Sequence, residues 1–374
     1  MKTVLFSPFT LRSVTFPNRI MVSPMGQCSA VDGCATNWHL MHLGSLAVSG
    51  AGALTIEATA VTPNGRNTPF DLGLWNDAQA EALRPALEFC REHSIARLGM
   101  QLWHVGRKGS VLPAWDRHRP ITKAEGGWDV HAPSAIPYPK RHLPIAVSVD
   151  QIATIVREFA GAARRASTLD IDYLEVHGAH GYLLHNFLSP LTNQRTDAYG
   201  GSLVNRMRIV LEVFDAVRAQ WPAHKPVGVR ISSTDWVEGG WSIEDSVELA
   251  RALKALGCDY ITASSGGSVP EQAITVHPNY QVPFAERIRR DTGMPTVAVG
   301  LITDPQQAEE IVASGQADMV AIGRGMLFNP RWPWHAALAL GEEPTFPPQY
   351  ERAHPEMRLG DFLKAKRDAG QARQ

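Results

Sequence analysis

Apolar and polar positions alternate along this chain in a way that predicts strands and helices in turn. Short apolar runs indicate eight buried strands, at residues 20–23, 53–57, 97–102, 173–176, 227–231, 260–263, 296–299 and 319–322. Amphipathic stretches between them indicate seven helices, at residues 37–49, 77–94, 149–169, 203–220, 243–256, 283–292 and 305–314. This order predicts an α/β fold, a closed (β/α)8 TIM barrel, with an open doubly wound parallel sheet as the alternative.

Local signals place the ends of several helices and three segments outside the barrel. Cap signals stand at Asp77, Asp150, Ser202 and Asp304, the last directly before Pro305. Residues 1–19 are expected to form a short hairpin under the barrel. Residues 105–147, rich in proline and glycine, are expected to cap its top after the third strand, and 345–374 form a polar tail. We therefore expect one domain over residues 1–374.

Composition excludes several classes of function. The 374 residues carry a net charge of -1 and a pI of about 6.9, so no general attraction to nucleic acid or to an anionic membrane is expected. No apolar run reaches the roughly 20 residues of a membrane span, and Pro8 interrupts the start of the chain before a signal-peptide core forms. Four cysteines without a C-x-x-C pair argue against an iron–sulfur cluster or a zinc knuckle. These observations favour a cytoplasmic protein.

The candidate chemistry is concentrated just beyond the fourth predicted strand, in His177, His180 and Tyr182. Barrel enzymes carry their active sites at the carboxyl ends of the strands. Two neutral imidazoles can donate to one oxygen, and a nearby phenol can supply a proton. Three other interpretations stay open: a zinc site completed by Glu175 or His104, loop histidines without chemistry, and a tyrosine that only packs its ring.

The ends of the seventh and eighth strands indicate a phosphate site. Gly300 and Gly323 allow close approach of the backbone, and Arg324 can pair with an anion; ordinary strand-end glycines with a surface arginine are the alternative. No strand end carries the lysine of a Schiff-base aldolase. A flavin mononucleotide fits better, with Gln101 at its pyrimidine edge and Arg230 balancing the negative charge of the reduced ring.

Longer motifs point to a family. They are Ser-Pro-Met at 23–25, Glu-Ala-Thr-Ala-Val at 57–61, Gln101-Leu with His104 and Gly106-Arg107, Ala-Pro-Ser at 132–134, His-Gly-Ala-His-Gly-Tyr at 177–182, Asn-Gln-Arg-Thr-Asp-Ala-Tyr-Gly-Gly-Ser at 193–202 with Asn205-Arg206, and Ile-Gly-Arg at 322–324. With these motifs the chain resembles the Old Yellow Enzyme family of FMN-dependent ene-reductases. It is similar in particular to the bacterial branch with the xenobiotic reductases and thermophilic-like ene-reductases. The resemblance runs from about residue 3 to Arg352.

The resemblance implies a role for each matched position. The implied FMN contacts are Ser23, Pro24, Met25, Gly26, Ala58, Gln101, Arg230, Gly323 and Arg324. His177 and His180 would hold the carbonyl oxygen of an activated alkene, flavin N5 would deliver a hydride, and Tyr182 would deliver a proton. NADPH or NADH would be the reductant. Arg352 matches an arginine that relatives insert into the neighbouring subunit's site, which implies a homodimer or homotetramer.

Two positions depart from the family pattern. Relatives of this branch usually carry a cysteine where this chain has Gly26, and a tyrosine that contacts substrate where it has Cys28. We therefore expect a shifted flavin potential and a roomier, less polar pocket, with Cys28 either facing that pocket or buried and inert.

The sequence leaves other functions open, and it also leaves open the preference between NADPH and NADH. The alternatives are another FMN barrel oxidoreductase of the dihydrouridine synthase or dienoyl-CoA reductase type, and a non-redox lyase or metal hydrolase using His177 and His180. Candidates to bind the 2′-phosphate of NADPH are basic residues of the capping segment: Arg107, Lys108, Arg117 and Arg119.

Overall fold

Eight parallel strands close into a barrel in the computed structural model, which describes residues 3–355. The barrel strands are β3 (Ile20–Val22), β4 (Ala53–Ala60), β5 (Arg97–Trp103), β8 (Tyr173–Gly178), β9 (Val227–Ser232), β10 (Tyr260–Ser264), β11 (Thr296–Val299) and β12 (Met319–Ile322). Each pairs in parallel with the next, and β12 pairs with β3 to close the ring. The predicted (β/α)8 barrel is therefore confirmed, and the open-sheet alternative is wrong.

The seven predicted helices are all present, and three short ones are added. The predicted helices are α1 (Asn37–Ala47), α2 (Asp77–His93), α3 (Val149–Ser167), α5 (Leu203–Gln220), α6 (Ile243–Ala255), α7 (Val282–Thr292) and α8 (Pro305–Ala313). The added ones are α4 (Leu183–Leu188), α9 (Arg324–Phe328) and α10 (Trp332–Ala339). Helix α4 matters most, because it begins directly after Tyr182.

Two of the four predicted helix caps are confirmed and two are wrong. Ser202 and Asp304 each accept a backbone N–H of the first turn, as predicted. Helix α2 is instead capped by Asn76 and helix α3 by Ser148. Asp77 and Asp150 lie inside the first turn, where a carboxylate interacts favourably with the helix dipole without capping it.

The amino-terminal hairpin closes the bottom of the barrel, as predicted. Strands β1 (Phe9–Leu11) and β2 (Val14–Phe16) pair antiparallel, and the ring of Phe16 lies edge-on to that of Tyr173, with 5.5 Å between centroids. Gly99 leaves the space that Tyr173 fills, since a Cβ at Gly99 would lie 2.1 Å from its ring. The floor under the site is therefore packed with side chains.

The capping segment, residues 105–147, lies on the opposite face. It contains 3₁₀ turns at Gly106–Lys108, Ala114–Asp116 and Lys123–Glu125, and a parallel pair formed by β6 (His131–Ala132) and β7 (Ile145–Ala146). Past the barrel, a further 3₁₀ turn spans Pro348–Ala353. The predicted tail beyond residue 355 lies outside the described residues. Among residues 3–355, none of the helices has the length and apolar character needed to cross a membrane.

Candidate active site

Two adjoining cavities open at the carboxyl ends of the barrel strands. The first, of about 320 Å³, is called the β11–β12 cavity, and its lining includes Ser23, Pro24, Met25, Arg230, Gly300, Gly323 and Arg324. The second, of about 310 Å³, is called the histidine cavity, and its lining includes Pro24, Gly26, Cys28, Ala58, Gln101, His177, His180, Tyr182 and Arg230. Pro24, His180 and Arg230 line both. The structure thus brings together every predicted site residue except Arg352.

His177 stands at the end of β8 as a neutral imidazole with a defined donor. Burial, reinforced by the charge of Arg230, holds the pKa of its ring well below the usual 6.5. Its Nδ1 accepts the Ala179 N–H at 3.2 Å. The ring proton therefore resides on Nε2, and His177 lines the histidine cavity as a hydrogen-bond donor.

His180 is also neutral, for the same reasons: burial first, then the charge of Arg230, lower its pKa well below 6.5. Its Nε2 lies 2.7 Å from the Ser264 hydroxyl. The alternative acceptor for Ser264, Gln281 Oε1, is 3.5 Å away and already takes the Ser265 hydroxyl at 2.6 Å. We therefore assign the Ser264 proton to the bond with Nε2, which leaves the proton of His180 on Nδ1.

Tyr182 completes the group. Its ring packs edge-on against Trp103 and His177, with centroids 4.6 and 5.0 Å apart. Burial, together with the nearby charge of Asp71, raises the pKa of the phenol to about 12, so it stays protonated at neutral pH. Its hydroxyl makes no hydrogen bond within residues 3–355. Two imidazole N–H donors and one free phenol thus share a cavity.

Arg230 lies where the two cavities meet, and Gln101 lines the histidine cavity. The Gln101 amide nitrogen donates to Glu175 Oε1 at 2.7 Å, while Thr262 donates to the other carboxylate oxygen at 2.5 Å. This leaves Gln101 Oε1 as an acceptor for a ligand. The Nε of Arg230 is buried and has no hydrogen-bond partner in the described chain. Such an orphaned donor indicates a bound acceptor at this point.

The loops after β11 and β12 have the character of an anion site. Gly300 has a φ of 103°, which a residue with a side chain rarely adopts. Gly323 lines the same β11–β12 cavity, and a Cβ there would make only ordinary contacts, at 3.6 Å from Met25 and Ser23. Arg324 is exposed, and its guanidinium makes no hydrogen bond or ion pair within the described residues. With Arg230 and Gln101, these features fit FMN from its phosphate to its pyrimidine edge.

The two departures from the family pattern both line the histidine cavity. A Cβ at Gly26 would lie 3.7 Å from Glu57 Oε2, so a side chain has room there. Glu57 itself is skipped by the pairing of β4 with β5, which makes it a β-bulge residue. Cys28 lies with its Sγ 3.6 Å from Asp71 Oδ1. Burial raises the pKa of its thiol to about 12, so Cys28 faces the cavity as an unreactive group.

Two basic side chains tie the base of the capping segment to the site: Arg107, which is buried, and Lys108, which is half-buried. Lys108 Nζ donates to the His180 carbonyl at 2.8 Å and also to that of Gly267. Arg107 donates to the Ser268 carbonyl at 2.7 Å. The capping segment is thereby fixed both to the turn at His180 and to the loop after β10.

These bonds also bear on the four candidates for binding a 2′-phosphate. The side chains of Arg107 and Lys108 already donate to backbone carbonyl groups. Arg119 forms a bidentate ion pair with Glu125. The side chain of Arg117 makes no hydrogen bond or ion pair with another described residue. Of the four, only Arg117 therefore retains a guanidinium that is available for a ligand.

Several residues of the histidine cavity were not predicted: Glu57 as a wall, Asp71, Trp103, Trp115 and His118. Trp103 ends β5, so its position after Gln101 and Leu102 could have indicated it. Trp115 and His118 lie in the irregular capping segment, and Asp71 lies in a loop. Nothing in the local pattern marks these three, because only tertiary contacts bring them to the cavity.

The zinc interpretation lacks a third ligand beside the two histidines. Glu175 is held by Gln101 and Thr262 inside the barrel. His104 lines a separate cavity of about 160 Å³. Across residues 3–355, no group of three or more His, Cys, Asp or Glu side chains is placed to hold a metal ion.

Sequence and structure comparisons give consistent relatives. The sequence pattern of the NADH:flavin oxidoreductase / NADH oxidase family matches residues 4–343. An NADPH dehydrogenase of Geobacillus sp. (strain WCH70) is 44% identical over 355 residues, covering 94% of this chain and 99% of the relative. Morphinone reductase is 28% identical with a TM-score of 0.76, over 92% of this chain and 91% of its own; it has also been solved with tetrahydroNAD. An old yellow enzyme homologue from Zymomonas mobilis is 25% identical with a TM-score of 0.74, over 91% and 94% of the two chains.

Proposed function

Because the chain belongs to the NADH:flavin oxidoreductase / NADH oxidase family, we propose that it reduces the C=C bond of α,β-unsaturated carbonyl or nitro compounds with electrons from NADPH or NADH. The Old Yellow Enzyme resemblance is confirmed, and the chain is an FMN-dependent NAD(P)H oxidoreductase. The observation that carries the proposal to activated alkenes is the convergence of His177, His180 and Tyr182 on one cavity.

The two cavities provide places for the cofactor. When bound, FMN supplies the redox chemistry, accepting a hydride from the nicotinamide and giving one to the alkene. Gly300, Gly323 and Arg324 would hold its phosphate, and Arg230 and Gln101 the edge of its ring. Ser23, Pro24, Met25, Gly26 and Ala58 would lie along the ring. The free guanidinium of Arg324 and the orphaned Nε of Arg230 support this arrangement.

The three catalytic side chains would divide the remaining work. His177 Nε2–H and His180 Nδ1–H would donate to the carbonyl or nitro oxygen and stabilise the negative charge that develops on it. The Tyr182 hydroxyl would give its proton to Cα. The neutrality of both rings suits this role, because each keeps one N–H to donate and does not lose a proton to the substrate.

The rest of the histidine cavity would receive the body of the substrate. Cys28 would contact it as a small apolar group, with Trp103 on the side of Tyr182. We further propose that Arg117 contributes to nicotinamide choice by pairing with a 2′-phosphate. Comparing the KM of NADPH and NADH in Arg117→Ala tests this, with Arg119→Ala as the matched control. A selective rise in the KM for NADPH only in Arg117→Ala is expected, and no change would contradict the role.

Arg352 is proposed to act in a neighbouring copy. It is exposed in the 3₁₀ turn Pro348–Ala353 and does not line either cavity of its own chain. Beside that turn lies an apolar groove of about 560 Å³ whose lining includes Leu40, Met41 and Phe89. A homodimer or homotetramer that covers this groove would carry Arg352 to a second site. Light scattering gives the assembly state, and a purely monomeric active enzyme would contradict the proposal.

The first test is an absorption spectrum of the purified protein, before and after anaerobic NADPH and then 2-cyclohexenone. A yellow protein that bleaches with NADPH and regains its colour with the enone is the expected result. Bleaching without recovery by enones or nitroalkenes would contradict the substrate class while leaving the flavin chemistry intact.

Tyr182→Phe tests the proton donor. General acid catalysis contributes roughly 100- to 10,000-fold, so alkene reduction should slow by at least the lower value while flavin reduction by NADPH changes little. Tyr199→Phe is the matched control, because the Tyr199 hydroxyl donates to Glu212 at 3.0 Å away from the site. Equal rates in Tyr182→Phe and the control would overturn the role.

A further inference from the structure

The turn that displays His180 and Tyr182 has an unusual backbone. His180 and Gly181 are both left-handed, with φ values of 60° and 68°. A histidine rarely adopts this conformation unless its surroundings impose it. Two hydrogen bonds hold the backbone of His180 in this conformation. Its N–H donates to the Ser232 hydroxyl at 2.9 Å, and its carbonyl accepts from Lys108.

Gly181 is held by two side chains of helix α4. Its N–H donates to His185 Nδ1 at 2.8 Å, and its carbonyl accepts from the Asn186 amide at 3.0 Å. A Cβ at Gly181 would lie 2.2 Å from the Gly267 carbonyl, so the turn is also pressed against the loop after β10. His185 therefore holds Gly181 in place, the residue between His180, the proposed hydrogen-bond donor, and Tyr182, the proposed acid.

His185 is in turn held by Asp235, from the loop between β9 and α6. His185 Nε2 and Asp235 Oδ1 are 3.0 Å apart, and both side chains are fully buried. The two atoms are in ion-pair contact, and neither has a hydrogen-bond partner elsewhere within residues 3–355, so each depends on the other. Burial opposes the charge of Asp235, but His185 and the bonds from Ser189 and Trp241 together hold the pKa of this carboxyl below its usual range.

We propose that Asp235 and His185 are a positioning pair for the reaction, in which the carboxylate fixes the tautomer of the imidazole and the imidazole fixes the catalytic turn. With Asp235 ionised, the ring proton of His185 stays on Nε2, and Nδ1 keeps the lone pair that the Gly181 N–H requires. Neither side chain lines the histidine cavity. They act through the placement of His180 and Tyr182, and this consequence for activity rests on the proposed function.

The other oxygen of Asp235 makes a sharp test available. Its Oδ2 accepts the Ser189 hydroxyl at 2.5 Å and the Trp241 N–H at 2.9 Å. In Asp235→Asn these two donors require the amide oxygen at that position. The amide NH2 must then face His185 Nε2 and drive the ring proton to Nδ1, where it opposes the Gly181 N–H.

The expected results concern both the tautomer and the kinetics. Nitrogen-15 NMR of histidine-labelled protein should show the Nε2–H form of His185 in the wild type and loss of that form in Asp235→Asn, with His185→Asn identifying the signal. A displacement of about 1 Å can cost roughly 100-fold in rate. Asp235→Asn should therefore lower kcat for alkene reduction by about 10- to 100-fold, with a smaller change in flavin reduction by NADPH.

Two further variants separate positioning from stability. Ser189→Ala removes a partner of the same carboxylate and should lower Tm while keeping the tautomer and kcat. The substitution His185→Asn supplies an amide oxygen that can accept the Gly181 N–H, and this acceptor does not depend on a ring tautomer. Adding His185→Asn to Asp235→Asn should therefore restore much of the lost turnover. An unchanged tautomer and kcat in Asp235→Asn, or a double variant as slow as Asp235→Asn, would overturn the proposal. Failure of the wild type to reduce any alkene would refute the proposed function, whereas the NMR result would still decide the pair.

Discussion

Replacing His177 with alanine removes one of two hydrogen-bond donors from the proposed oxygen site and leaves the flavin contacts in place. Loss of one donor of this kind costs about 2.7–4 kcal/mol of transition-state stabilisation, or roughly 100- to 1,000-fold in rate. The donor in question is Nε2–H, since Nδ1 is occupied by the Ala179 N–H. Alkene reduction should therefore slow by about this factor, whereas flavin reduction by NADPH should change far less.

The variant also has a structural cost, which the chain allows us to match. His177→Ala leaves the buried Ala179 N–H without its acceptor, at about 1–3 kcal/mol of unfolding free energy. His104→Ala does the same to the Gly106 N–H, which His104 Nδ1 accepts at 3.1 Å. Both imidazoles are buried, but His104 lines the separate small cavity. His104→Ala should therefore share the loss of stability without the loss of alkene reduction.

Anaerobic stopped-flow absorbance measures the two half-reactions separately. The first is followed as the oxidised flavin absorbance disappears with NADPH, and the second as it returns with 2-cyclohexenone. Equal slowing of both half-reactions in His177→Ala would refute the assignment. So would an equal effect of His104→Ala on the second half-reaction, because it would show that the loss comes from destabilisation.

The pKa values of His177 and His180 lie well below 6.5, and that of Tyr182 is about 12. The neutral rings are lost only as pH falls through those lowered values, and the phenol proton only as pH rises toward 12. Burial also lowers the pKa of Lys108, which holds the His180 carbonyl, to about 7. The rate constant of alkene reduction should thus be flat from about pH 8 to 10, and a titration inside that window would contradict the assignment. Gly26→Cys is sterically accommodated, since its Cβ would lie 3.7 Å from Glu57; potentiometry should show a shifted flavin potential, and a panel of substituted enones a narrower range. Unchanged values for both would refute the role of Gly26. Arg324→Ala removes a charged hydrogen-bond donor worth about 1.5–3 kcal/mol, so fluorescence titration should show roughly 10- to 100-fold weaker FMN binding; wild-type affinity would place the phosphate elsewhere.

The strands of the barrel could be predicted closely because each is a short apolar run buried on both faces. Strand 296–299 and strand 319–322 end where the sequence placed them, and the others differ by one to three residues at their carboxyl ends. Helix α4 was missed because six residues are too few to establish a helical period. Two caps were misplaced because an aspartate in the first turn looks like a cap when the true cap, Asn76 or Ser148, stands just before it.

The candidate site was predictable where it lies at strand ends and unpredictable where it depends on loops. Position relative to a strand indicated Gln101, Arg230 and Gly323. In contrast, a charged pair such as Arg107–Lys108 in a proline-rich segment indicates a solvent-exposed surface. Arg107 is nevertheless buried and Lys108 half-buried, and both donate to backbone carbonyl groups. Asp235 and His185 are 50 residues apart in sequence, and no local pattern connects them.

The hydrogen bond from Lys108 to the His180 carbonyl divides the capping segment into two parts. The sequence of one part can change far less than that of the other. Residues 106–108 are constrained together with the turn at His180 and Gly181, because Lys108 Nζ donates to the His180 carbonyl. The tip around Trp115 contributes to the wall of the histidine cavity but does not hold the turn in place. A chimera in which the part of the capping segment after Lys108 comes from a relative should therefore keep the reaction of this chain. Its substrate range should become that of the relative.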